Sequence, residues 1–296
     1  MDSARDISTG KIIEAEQLWL LSPINANNYI CRGCNAIVTP CSYHPQNKKR
    51  PYFSAKQGHK IDCDVDGEIA LVKRARKERI TTQEGFPGNF PRKLVLHDKR
   101  PVVAAICTGP SDICESQATQ YKPINIENNG HCRTASTIRP ICRVFINFPF
   151  DRDLPLTVPE ISSNTYQYVF WSLKRNQIIH YPQLKVFYAP ISWKALVIDS
   201  DHLDIQLNAG EWGEKGFSRS YKVRINWKNW GTAKRNYVTK EIEIARLEAI
   251  EADKRGGKQK GWLFFIGKQD SIDPSIFHVE DHRLICCLVA EMLYPK

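Results

Sequence analysis

Tyr29-Ile30-Cys31-Arg32-Gly33-Cys34 opens the stretch on which the reading of this chain turns, and His59-Lys60-Ile61-Asp62-Cys63 closes it. The two-residue gap between Cys31 and Cys34 lets both thiolates face one metal ion while backbone N–H groups turn toward the sulfurs. A tetrahedral site needs a second pair. His59 and Cys63, spaced His-x3-Cys after Pro51-Tyr52-Phe53, are the favoured pair, because the Lys-rich segment between gives them room to converge and Phe53 offers an apolar prop. Cys41 with His44 is the alternative, and both pairs cannot join one four-coordinate zinc. Four protein ligands make such a zinc structural and leave no open position for catalysis. A redox-active CxxC would sit in βαβ surroundings, which this stretch lacks.

Residues 29–67 are dense in Cys, His, Gly, Pro and Lys and poor in periodicity, as in a small module held by ligands instead of a large core. A helix is predicted next, over residues 67–80. Ile69, Val72, Ala75 and Arg76 give it a partly apolar face, and Lys73, Arg74, Lys77 and Arg79 charge the remainder. With Lys48, Lys49 and Arg50 these cations are candidate phosphate contacts, which confer affinity without sequence choice.

From Tyr29 to Arg79 this pattern resembles the zinc-finger-like N-terminal region of competence protein CoiA-like bacterial proteins. The residues that carry the resemblance are Tyr29 to Cys34, Pro51-Tyr52-Phe53, His59 to Cys63 and the charged helix from Glu68. In that family the module is often followed by a restriction-endonuclease-like domain, which needs an Asp and then Glu-x-Lys on adjoining strands. Here the helix is followed by Gly85-Phe86-Pro87-Gly88-Asn89-Phe90-Pro91 and by no strand ending in Glu-x-Lys, so the nuclease is not carried over. The resemblance implies a zinc-stabilised bacterial module associated with DNA handling or anti-phage (antiviral) defence.

Working outward, residues 1–28 carry a short amphipathic pattern at Ile12, Ile13 and 18–21, then turn residues. Residues 81–135 read as irregular, with one strand candidate at 101–107. A helix is expected around Ile138 to Phe148 and a second over 165–174. Strands are expected at 184–191, 196–198, 203–207, 220–226 and 262–266, with turns at Asp199-Ser200-Asp201 and 210–216. A charged helix over 240–253 should stop at Gly256-Gly257, and a closing helix is expected over 280–292. The organisation predicted is a zinc-binding module at 1–80, a helical middle region at 81–181 and an antiparallel sheet domain at 182–296. The class is α+β, with a partly open, OB-like barrel as one form of the sheet.

The totals agree with a folded protein that has polyanionic partners. The 296 residues are 42% apolar and carry a formal charge of +10. Residues 48–100 hold 14 Lys and Arg against 7 Asp and Glu, so the excess is concentrated beside the cysteine motif. No apolar run is long enough to cross a bilayer, and Asp2-Ser3-Ala4-Arg5-Asp6 starts no apolar export segment. A cytoplasmic location and reduced cysteines are expected, with Cys286 and Cys287 in the core.

A second candidate interface is Tyr221-Lys222-Val223-Arg224-Ile225-Asn226-Trp227-Lys228. Strand alternation sends Tyr221, Val223, Ile225 and Trp227 to one face and Lys222, Arg224 and Lys228 to the other. The charged face suits phosphates, and Trp227 or Trp230 could stack on bases. An ordinary core face backed by a solvated face explains the same pattern and is the stronger reading. Gly256-Gly257-Lys258-Gln259-Lys260-Gly261 lacks the spacing of a phosphate loop and reads as a turn. Asp199, Asp201 and Asp204 read as turn formers. His278 and His282, spaced i, i+4 on a predicted helix, lack the Glu of a metalloprotease. The function expected is nonenzymatic nucleic-acid binding. A metal-dependent nuclease with an unrecognised site and a protein-binding adaptor remain as alternatives.

Overall fold

The structure, a computed structural model, describes residues 1–96 and 132–295 apart from Pro45, Lys48, Asp62 and Lys215. The strand expected at 101–107 and the candidate Lys48 lie outside the described residues.

The class is α+β. The N-terminal module is built from short pieces. Strands β1 (Ser3–Asp6), β2 (Ile12–Glu14) and β3 (Tyr29–Ile30) form an antiparallel sheet with β1 in the middle, and a 3-10 turn, Ala15–Leu20, follows β2. Strands β4 (Thr39–Cys41) and β5 (Tyr52–Ser54) pair as a hairpin, and helix α1 (Asp64–Ala75) leaves the module. The helix begins three residues before its predicted start because Cys63 takes the N-cap position. It stops at Ala75, so Lys77 and Arg79 lie in the turn beyond it. Ile69, expected on the apolar face, is exposed; Ala75, expected there too, is buried, and so is Val65.

Strands β6 (Phe90–Leu94) and β7 (Cys132–Ala135) pair in parallel and lead into α2 (Arg139–Asn147), which has Pro140 in its first turn, where a missing N–H costs nothing. The second helix expected, over 165–174, is only a four-residue turn, α3 (Tyr166–Val169); β8 (Phe170–Ser172) takes over because it pairs with the next strand. The remaining elements are β9 (Val186–Pro190), β10 (Val197–Ile198), β11 (His202–Gly213), β12 (Gly216–Asn226), α4 (Thr232–Lys254), β13 (Lys260–Phe265), β14 (Lys268–Gln269), β15 (Ile276–Val279) and β16 (Ile285–Ala290).

These strands make two sheets instead of one antiparallel sheet: β10-β11-β12-β15-β14, with β12 and β15 parallel, and β16-β13-β9-β8, with β9 and β8 parallel. An isolated antiparallel bridge between Ile191 and Leu207 links them. The four-stranded sheet is covered on both faces. Val186, Tyr188, Trp262, Phe264, Cys286 and Leu288 enter one core with Ile141 and Phe145 of α2. Phe187, Ala189, Leu263, Phe265, Ile285 and Cys287 enter a second, with Leu203, Ile205, Val223 and Ile225 of the other sheet and Ile242 and Ala245 of α4. This explains the closing segment. Residues 285–289 form an uninterrupted apolar run because both strand faces are buried, and such a run resembles a buried helix until its pairing with β13 is known. The predicted helix over 280–292 is therefore a strand preceded by a 3-10 turn, His282–Leu284. The boundary expected at 181 separates no cores, since α2, β8 and β9 share one.

The module is fixed to this body by buried charge. Arg139, on α2, donates to Glu16 in the N-terminal 3-10 turn and to Glu241 on α4, and the three side chains are only 2–3% exposed. Glu241 also accepts the backbone N–H of Cys287 in β16 (2.9 Å). Arg143, one turn further along α2, reaches Glu14 (3.1 Å) and Glu16 (3.4 Å). Burial opposes the charge on Glu16, but Arg139, Arg143 and Arg50 hold its pKa below the usual carboxylate value. At Glu14 burial wins over Arg143 and Arg133, and the pKa rises.

Removing one member of a buried pair leaves an uncompensated charge. Arg139→Met should lower unfolding free energy by about 3–5 kcal/mol. Arg255→Ala, which breaks the exposed pair with Glu251, should cost about 0.5 kcal/mol or less. Urea titration of the two variants measures both values.

Candidate metal centre

The knuckle around Cys31 is a backbone construction. Cys31 N–H donates to the Ala36 carbonyl (2.7 Å), and Asn35 N–H donates to the Cys31 carbonyl (3.0 Å). Asn35 takes φ +57°, a left-handed value that Asn tolerates, and the chain reverses so that Cys34 returns toward Cys31. Gly33 donates its N–H to Cys31 Sγ (3.4 Å). A Cβ at Gly33 would stand 3.2 Å from Val65 and 3.3 Å from Cys63 Sγ, so glycine lets the knuckle close on the start of α1.

The other half comes from the segment between β5 and α1. Cys63, as N-cap, places its sulfur at the start of the helix. Cys31 Sγ lies 3.7 Å from Cys63 Sγ, and His59 Nδ1 lies 3.5 Å from Cys34 Sγ and 3.4 Å from Cys63 Sγ. All four ligand atoms fall within 4.8 Å of one another. Bond lengths of about 2.3 Å to sulfur and 2.0–2.1 Å to nitrogen give tetrahedral edges of about 3.8 Å (S to S) and 3.6 Å (S to N). Cys31, Cys34, His59 and Cys63 are thus positioned to hold a metal ion, with a donor set and spacing compatible with zinc.

Burial divides the ligands. Cys31 and Cys63 face the module's own core, where Tyr29 and Phe53 pack ring against ring at 5.2 Å, while Cys34 and His59 are partly exposed. Burial pushes the Cys31 thiol up to about 11. At Cys34 burial also raises the pKa, but the Lys60 and Ala36 backbone N–H groups, with His59 and Cys63 beside them, bring it down to about 6. Arg32, in the knuckle, pairs with Glu68 on α1 at 2.5 Å and ties the two halves together. The alternative pair is elsewhere: Cys41 Sγ donates to the Thr39 carbonyl (3.5 Å), and exposed His44 stands beside the Tyr43 ring (4.5 Å).

The candidate phosphate contacts separate into two groups. Lys49, Lys73, Lys77 and Lys228 are exposed. Arg50 is committed to Glu248 at 3.0 Å, Arg74 to Glu78 at 2.6 Å and Arg79 to Asp153 at 2.5 Å. On β12, Lys222 and Arg224 both pair with Asp204, at 3.3 Å and 2.7 Å. Trp227 is 2% exposed, with its indole N–H bound to the Asp199 carbonyl (3.2 Å). Its ring shows no face to a base, so Trp227 leaves the interface, and the alternation of 221–227 marks a core face. Trp230 likewise donates to the Glu280 carbonyl. Asp199 accepts from the Ser200 backbone N–H at its turn, and Asp204 is held by cations, so the three aspartates do not gather. Sequence reasoning did not find the pairing of Arg139 with Glu16 and Glu241, whose members are separated by 102 residues or more and carry no local spacing signal.

Purified protein should carry one metal ion per chain by elemental analysis. Cys31→Ser and Cys63→Ser should lose it, and Cys41→Ser should retain it.

No family model, curated protein or solved structure matches this chain.

Proposed function

We propose that this chain is a zinc-stabilised nucleic-acid-binding protein of bacterial type, acting in DNA handling or anti-phage defence. The observation that carries the reading is the placement of α1. The helix starts beside a candidate metal ligand, Cys63, and carries Lys73 in its last turn, with Lys77 just beyond its end; both are exposed, without an acidic partner among the described residues. Metal binding would set the start and direction of this helix, and with them the position of its cations. Exposed Lys49 on the same module and the net charge of +10 support the assignment, since a solvated cation gains by displacing the counterions of a phosphate backbone. The resemblance of residues 29–79 to the zinc-finger-like region of competence protein CoiA-like bacterial proteins supports the biological setting. Zinc is the metal that best suits three thiolates and one imidazole in a closed tetrahedron. Four protein ligands would leave it a structural ion, with no position for a substrate.

One observation favours an adaptor as the second reading: Ile37, Ile61 and Ile69 are all exposed on the module, Ile61 at 93%. Isoleucines in water suit a protein partner, whose binding would change little with salt.

Binding of a labelled DNA across a salt series separates the two. The affinity should fall steeply with salt, and Lys73→Ala with Lys77→Ala should weaken binding and flatten the log–log slope by about 2. A slope unchanged in the double variant, or no DNA affinity at low salt, would remove the nucleic-acid reading.

A further inference from the structure

The run Lys254-Arg255-Gly256-Gly257-Lys258-Gln259-Lys260 has a structural role that its lack of a phosphate-loop spacing left open. Gly256 N–H donates to the Asp253 carbonyl (2.8 Å) and Gly257 N–H to the Ala252 carbonyl (2.9 Å), with Gly256 at φ +74°. This pair of bonds is the Schellman ending of a helix. It stops α4 sharply and aims the chain into β13, and it sets Lys258 and Lys260 on the rim of a cleft of about 590 Å³. Arg175, from the segment after β8, lines the same cleft, as do Trp262 and the C-terminal residues Glu291 and Tyr294.

Three cations from two segments, Arg175 and the Lys258–Lys260 stretch, line this cleft. None of them has an acidic partner among the described residues, and Glu291 is the acidic residue in this lining. Like charges lining one cleft favour an anion there, and Lys258 and Lys260 stand beyond the last turn of α4, so the helix dipole does not account for them. The volume is that of about twenty waters at about 30 Å³ each, too large for phosphate alone and within the range of small-ligand pockets. The rest of the lining suits a ring: Tyr294 is more than half exposed, and Trp262 borders the floor with its N–H already given to the Ala290 carbonyl (3.1 Å). The Glu291 carboxylate can accept from an exocyclic amine or a sugar hydroxyl.

We propose that this cleft binds a nucleoside phosphate, with Arg175, Lys258 and Lys260 on the phosphate and Tyr294 against the base. The ligand is either a free nucleotide or the phosphorylated end of a strand. Its lining includes neither Lys73 nor Lys77, and the proposal does not rest on the nucleic-acid reading.

Calorimetric titration of the full chain with adenosine monophosphate tests it. Wild type should bind, and inorganic phosphate should bind more weakly. K258E with K260E, two exposed positions, should weaken nucleotide binding by about tenfold or more. Tyr294→Ala should reduce the nucleotide's affinity to that of inorganic phosphate. Lys73→Ala with Lys77→Ala should leave nucleotide binding intact, so a failure of the α1 surface is told apart from a failure here. A 5′-phosphorylated oligonucleotide that competes with the nucleotide, when its unphosphorylated twin does not, identifies a strand end as the source. No competition identifies the free nucleotide. Absence of nucleotide binding, or binding unchanged in the charge-reversal variant, overturns the proposal.

Discussion

One guanidinium, Arg139, joins three parts of this protein that are far apart in sequence. It leaves α2, meets Glu16 from the N-terminal module and Glu241 from α4, and is closed off from water with both. A buried charge of this kind tolerates no near miss, because each partner that fails to arrive leaves a desolvated ion behind. The arrangement therefore specifies one way to dock the module, the helix and the two-faced sheet, since Glu241 also holds the backbone of β16. Arg50 extends the seam, pairing with Glu248 on α4 and approaching Glu16. That is why a residue from the basic stretch belongs to the joint between module and body instead of to the surface.

The Cys3His cluster plays the corresponding part within the module. Its strands are two to four residues long, too short to hold a register alone, and its own core is a small group around Leu18, Tyr29, Val38 and Phe53. Four converging ligand atoms supply the missing constraint. They also connect chemistry to surface, because Cys63 is at once a member of the cluster and the N-cap of α1. The helix then passes Arg76 to the C-terminal segment, where its guanidinium donates to the Glu291 carbonyl (2.9 Å).

Legibility from sequence followed the range of the interaction concerned. The Cys-x2-Cys pair and the His-x3-Cys pair are local patterns, and the structure gathers the four residues that their spacing favoured. The alternation of Tyr221, Val223, Ile225 and Trp227 was equally local, and all four are buried as a strand face requires. The Gly256-Gly257 ending of α4 was readable for the same reason. By contrast, the identity of residues 285–290 depended on a partner strand 25 residues away, and the run's burial on both faces erased the period that distinguishes strand from helix. The end of the predicted helix at 174 failed similarly, because β8 exists only through its pairing with β9. Charge was the least legible property: Arg224 and Lys222 look like a solvated binding face in the sequence, and only the cross-strand position of Asp204 shows them to be spoken for.

The proposed role of the metal ion is to fix the nucleic-acid surface at α1 and the turn that follows it. The direct measurement is DNA affinity of one protein sample before chelation, after chelation and after zinc is returned, at fixed low salt. Affinity should fall on metal removal and recover with stoichiometric zinc. Affinity that is the same in the metal-free and zinc-loaded protein would contradict it.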